Sequence, residues 1–109
     1  MLLDYAKYDR ERAAESARAN FRRRRFDEGT FACDVCEWSP PAVIMAMGVP
    51  RVLQAHHIVA VSAGGHDTDE NLLLLCPNHH AIAGALRRKF TQRDALLEAL
   101  RRSTEHADA

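Results

Sequence analysis

The chain has little of what marks a special class of protein. Only three of its 109 residues are cysteine. An odd number cannot close a disulfide framework without leaving one thiol over. The expectation is therefore reduced thiols and a cytoplasmic location. Neither charge is in excess, with 15 Lys+Arg against 15 Asp+Glu. That balance excludes an obligate polycation of the histone-like kind, though not a local basic face. No apolar run approaches the roughly 20 residues of a membrane span, so no membrane partner is expected. The opening MLLDYAKYDRERAAE turns polar after three residues, which is no secretory signal. Repeats and low-complexity tracts are absent. What remains, 47% apolar and 28% charged residues, is the composition of a folded soluble protein. The length suits one domain.

Along the chain, residues 1–28 are rich in Ala, Arg and Glu without Gly or Pro, which predicts a helix. Ala13, Ala17 and Phe21 form a weak i, i+4 apolar row on it, and Gly29 ends it. Residues 33–51 hold Cys33-Asp-Val-Cys36, Ser39-Pro40-Pro41 and Gly48-Val-Pro50. They are too turn-rich for one regular element. Leu53–Val61 reads as a strand, Ser62–Asp67 as a loop of turn residues, and Leu72–Leu75 as a short buried second strand. Pro77 suits the first position of a helix reaching about Lys89. Thr91 and Asp94 resemble a capping box for a last helix with Leu96, Leu97 and Leu100 on one side. The tail, Ser103–Ala109, is expected to fray. The centre is thus strand, loop, strand, helix. The divisions are 1–28, a helical segment; 29–90, the central domain; and 91–109, a closing helix and tail, all in one compact unit.

Five of the six histidines lie between positions 56 and 80, as His56-His57, His66 and His79-His80. All three cysteines flank or sit in that stretch. A single histidine in a core is ordinarily structural, but this density around one hairpin is not explained by packing. Cys33-x-x-Cys36 offers two thiolates on one tight turn, and Cys76-x-x-His79 a second pair. Together they make a Cys3His set with zinc-like spacing. A redox Cys-x-x-Cys is the alternative, but thioredoxin-like chemistry expects a βαβ setting that this chain lacks. Two unrelated buried pairs are the other. A zinc here would clamp the loop before the hairpin to the helix after it.

The order of these residues, with Gly64-Gly65, Asn71-Leu72 and Cys76-Pro77-Asn78-His79-His80, resembles the HNH endonuclease family over roughly residues 30–89. The resemblance implies an α+β fold, with a small ββα-metal (His-Me finger) core stapled by zinc and flanked by N- and C-terminal helices. It implies metal-dependent hydrolysis of phosphodiester bonds, leaving 5′-phosphate and 3′-hydroxyl ends, and DNA as partner. By the same resemblance His57 is the general base, a role suited to a group that titrates near neutrality. His56 and His80 are ligands of the catalytic divalent metal. Asn71 ties the loop and keeps the base oriented. Cys33, Cys36, Cys76 and His79 match the structural zinc knuckle that many members carry. Two departures stand out. His79 occupies a position where many members have Cys. Gly84 stands where some members have a further His ligand, which favours Mg²⁺, or another divalent metal such as Mn²⁺, over a tightly held transition metal.

His56 and His57 are neighbours, and neighbours on a regular strand face opposite sides. Both serve one site only if the strand twists or bulges, or if the base works at its end. For the substrate's phosphates the candidates are Arg22, Arg23, Arg24 and Arg25, and the second cluster Arg87, Arg88 and Lys89. Four consecutive residues of a helix spread around its axis, so one face cannot use all of the first cluster. A solvated surface run is the competing reading for both. Arg51 has no assignment. Trp38 and Phe31 are expected to pack around the zinc, and His66 to be an exposed loop residue. The leading reading is a DNA endonuclease or nickase. The other is a zinc-stapled nucleic-acid-binding module that cuts weakly or not at all. A homodimer or a protein partner is left open.

Overall fold

The computed structural model describes residues 5–107. Its order is α1 (Tyr5–Asp27), α2 (Ala42–Met45), β1 (Gln54–His57), β2 (Leu72–Leu75), α3 (Pro77–Ala85) and α4 (Arg93–Ala107). Single 3-10 turns at Val61–Ala63 and Asp69–Asn71 lie between the strands. The fold is small and α+β, a β–β–α core with a helix before it and a helix after it.

The first helix stops where Gly29 takes φ 75°. The Thr30 N–H reaches the Arg25 carbonyl at 2.9 Å and the Gly29 N–H reaches Phe26 at 3.1 Å. These are the two bonds of a Schellman cap, and they need the left-handed residue that glycine supplies without strain. The buried row of α1 is Ala14 and Phe21, with Arg18 half-buried between them; Ala13, expected to face inward, is exposed. Residues 1–4 of the expected helix lie outside the described residues.

The two strands pair antiparallel, with His56 opposite Leu73 and His57 opposite Leu72. All four leucines of β2 are buried. A two-stranded hairpin is marginal alone, but burying each leucine contributes roughly 1.5–3 kcal/mol. The covering apolar groups include Phe21, Phe31, Leu53, Leu96, Leu97 and Leu100, which join the strands in one core.

Three expected boundaries differ. The first strand ends at His57, not Val61, because the Asn71 side chain takes over Val59 as a partner. Asn71 Oδ1 accepts from the Val59 N–H at 2.8 Å, and its Nδ2 donates to the Val59 carbonyl at 2.9 Å. The third helix ends at Ala85, and Arg88 at φ 73° turns the chain so that Leu86 and Phe90 pack on the core. The last helix takes Gln92 as its first acceptor, from Leu96 N–H, so Gln92 rather than Thr91 is its cap. That helix also runs through most of the tail expected to fray, to Ala107; Asp108 and Ala109 lie outside the described residues.

Candidate functional site

Cys33 and Cys36 sit on a turn in the loop after α1. Cys76 caps α3, Pro77 fills its first position, and His79 follows within the first turn. Their four ligand atoms lie within 4.8 Å of one another. Cys36 Sγ and Cys76 Sγ are 3.9 Å apart, Cys33 Sγ and His79 Nδ1 3.6 Å, and Cys76 Sγ and His79 Nδ1 3.3 Å. A tetrahedral zinc with bonds near 2.3 Å to sulfur and 2.0 Å to nitrogen sets edges of about 3.8 and 3.5 Å. The group therefore fits zinc, and its sulfurs are too far apart for a disulfide, whose bond is about 2.05 Å. Burial raises the Cys33 thiol, but the backbone N–H groups of Cys36, Cys76 and Val35 outweigh it and leave that thiol below its ordinary value. Burial pushes the Cys36 thiol up to about 11, and the neighbouring sulfurs add to the effect. Burial lowers His79, which favours the neutral imidazole that a metal takes.

The knuckle is stitched to the sheet by Asp34. Its N–H donates to the Leu74 carbonyl at 2.8 Å, and its Oδ2 accepts the Leu74 N–H at 2.8 Å. The same carboxylate holds Arg25 of α1 at 2.9 Å and Arg93 of α4 at 3.8 Å. Phe31 is buried beside the knuckle, edge-to-face with Phe26 at 5.7 Å. Trp38 keeps part of its ring in solvent and, with Val52 and Pro77, lines a cleft over Cys36 and Cys76.

A second site opens at the end of β1. A cavity of about 610 Å³ is lined by His56, His57 and His80, by Arg10, Glu11 and Arg18 of α1, and by Arg87. His56 and His57, the last two residues of β1, both line this cavity although they face different elements. His56 faces α3, with its ring edge-to-face to His80 at 5.6 Å between centroids. His57, opposite, faces α1 and the loop. Its Nε2 pairs with Asp67 Oδ1 at 2.8 Å, and its Nδ1 lies 3.4 Å from Arg18 NH1.

Burial holds His56 down to about 4, helped by His80, Arg87 and His57 nearby. Burial also lowers His80. Both imidazoles are thus neutral at pH 7 and could bind a divalent metal. The amide of Asn71 ties the loop together, since beyond Val59 its Nδ2 donates to the His66 carbonyl at 2.8 Å. Gly65 has to be glycine there, because a Cβ would overlap the Val59 carbonyl. Gly84, exposed on α3, has no atom within 4 Å of where a Cβ would sit, so that flank is open to solvent.

The basic clusters divide. Arg24 pairs with Asp69 at 2.6 Å and Arg25 with Asp34. Arg23 is exposed and Arg22 half-buried. Arg87 lines the histidine cavity, whereas Arg88 and Lys89 are exposed in the turn after α3. His66 is exposed. No motif marks Arg18 or Asp67. Each reaches His57 from a distant part of the chain, and Asp67 reads in sequence only as a turn residue.

Among protein-family models, the one described as HNH endonuclease matches residues 33–85. No curated protein and no solved structure matches the chain.

Proposed function

Because residues 33–85 match the family model described as HNH endonuclease, we propose that this protein is a metal-dependent endonuclease that nicks or cleaves DNA. One observation carries the reading: a neutral imidazole pair, His56 and His80, and a third imidazole, His57, line one open cavity beside arginines. His56 and His80 hold a catalytic divalent metal, Mg²⁺ or Mn²⁺, which supplies charge stabilisation at the scissile phosphate and the departing oxygen.

His57 acts as general base. Its Nε2–H donates to Asp67, which leaves the Nδ1 lone pair toward Arg18, a residue of the same cavity lining. Nδ1 takes a proton from water as the water oxygen bonds to phosphorus. The P–O3′ bond breaks, and a solvent proton completes the 3′-hydroxyl beside a 5′-phosphate. Asn71 keeps the base oriented by fixing the loop that carries Asp67. Arg87 and the exposed Arg23, Arg88 and Lys89 contact flanking phosphates. Zn²⁺ in the Cys33, Cys36, Cys76 and His79 group is structural, and a zinc-thiolate staple suits a reducing, cytoplasmic setting. No helix among the described residues is long and apolar enough to cross a membrane.

A second reading, a DNA-binding module that cuts weakly or not at all, is favoured by Gly84, which leaves the cavity two imidazole ligands rather than three. One experiment separates them. Purified zinc-loaded protein is incubated with supercoiled plasmid and Mg²⁺ or Mn²⁺, alongside a gel shift in EDTA. Nicking that requires the metal supports the endonuclease. A shift without nicking supports the binding module.

A further inference from the structure

Among the described residues, four arginines have carboxylate partners: Arg24 with Asp69, Arg25 and Arg93 with Asp34, and Arg102 with Glu98. Arg18, Arg22 and Arg51 have none among the described residues. The Nε of Arg22 is buried without a hydrogen-bond partner. Burial lowers the Arg22 guanidinium from its ordinary value, and the charges of Arg51 and Arg18 lower it further. Three like charges are thus gathered with no carboxylate paired to any of them among the described residues, although Glu11 lines the same cavity as Arg18. Such an arrangement costs free energy unless a ligand supplies the missing charge.

Their position gives the ligand's chemistry. Arg18 lines the histidine cavity, with NH1 3.4 Å from His57 Nδ1. Arg22 follows one turn along α1, about 6 Å on, and Arg51 is near enough for its charge to act on Arg22. We propose that Arg18, Arg22 and Arg51 form a phosphate-binding cluster, in which Arg18 grips the scissile phosphate and Arg22 with Arg51 a neighbouring phosphate of the same strand. This assignment rests on the endonuclease reading and deepens it. It gives α1, which lies outside the matched family segment, a direct part in substrate binding.

The contact with His57 adds a consequence. In the free protein the Arg18 guanidinium donates to the nitrogen that must accept water's proton. A phosphate draws the guanidinium away, because a charge-assisted bond to an anion is stronger than one to a neutral imidazole. Nδ1 is then free for water. The base is masked until substrate arrives.

The test uses full-length zinc-loaded protein and a short labelled DNA duplex. In a His57→Ala background, the affinity of Arg18→Met and Arg51→Met is measured across a salt series, with Arg101→Met on the exposed face of α4 as control. Each cluster variant should lower the slope of log K against log salt by about one, while the control keeps it. With His57 intact, Arg18→Met should lower kcat about 100-fold, and Arg18→Lys should recover part of the loss. Arg51→Met should raise KM and leave kcat. Arg51 is exposed and carries the test should Arg18→Met not fold. Wild-type salt slopes in both cluster variants would overturn the assignment. If the wild type nicks nothing, the endonuclease reading falls, yet the binding arm still decides whether the cluster holds phosphate.

Discussion

Asp67 Oδ1 lies 2.8 Å from Nε2 of His57, whose side chain is only 6% exposed. A buried imidazole with one nitrogen so engaged has a fixed tautomer and a fixed direction. The other nitrogen is then the only one available as a base. Asp67 is itself one-third exposed, so its pull is screened and its part is positioning. Asp67→Asn should lower kcat roughly tenfold, a fraction of what a general base contributes, with KM and melting temperature unchanged. Steady-state nicking kinetics check this; an unaltered kcat would remove Asp67 from the mechanism.

The zinc group should behave as part of the fold. Cys33 is buried in the core and its sulfur lies 3.6 Å from His79 Nδ1. Cys33→Ser should lose the bound zinc and the cooperative thermal transition together, because metal binding and folding are coupled in sites of this kind. Metal analysis and a melting curve on one preparation show it. Full zinc content with an unchanged melt would contradict the assignment.

Asp34 joins the knuckle, α1, α4 and β2 through one carboxylate that is 13% exposed. Asp34→Ala leaves the Leu74 N–H and the Arg25 guanidinium without that partner. The expected cost is about 2–3 kcal/mol, read as a lower urea midpoint with an unchanged slope. Zinc content should persist, since no ligand is removed.

Acid should weaken the fold through its buried histidines. His56 is held at about 4 in the folded state, below its ordinary 6.5. Between those values the unfolded chain binds a proton that the folded chain refuses. Stability is therefore fully present above about pH 6.5 and falls as pH falls toward 4. His80 shifts in the same direction. The melting temperature of zinc-loaded protein without added Mg²⁺ should drop across this window. His56→Gln should flatten the drop, and an equal drop in both proteins would show that His56 is not the group responsible.

The parts of the site legible in sequence are those whose chemistry is local. Cys-x-x-Cys and Cys-x-x-His each put two ligands on one turn, so the zinc set needs only the hairpin to bring the pairs together. Leu72–Leu75 is apolar throughout because both faces are covered, and a run of that length has few other meanings. Other features depend on contacts that no window of sequence contains. The first strand looks longer than it is, since Ile58 and Val59 have strand chemistry, yet a side chain twelve residues on takes the Val59 backbone. Arg25 reads as one of four surface cations until Asp34 is found beside it. Arg18 reads as nothing until α1 is laid against β1. Adjacent histidines read as facing opposite sides of a strand, yet at the end of β1 both line one cavity.

The most direct measurement is the rate of Mg²⁺-dependent plasmid nicking by wild-type protein and by His57→Ala, matched for zinc content and melting temperature. The account predicts nicking by the wild type that stops in EDTA, and a loss of at least 100-fold in the variant. A His57→Ala protein that nicks at the wild-type rate would contradict it.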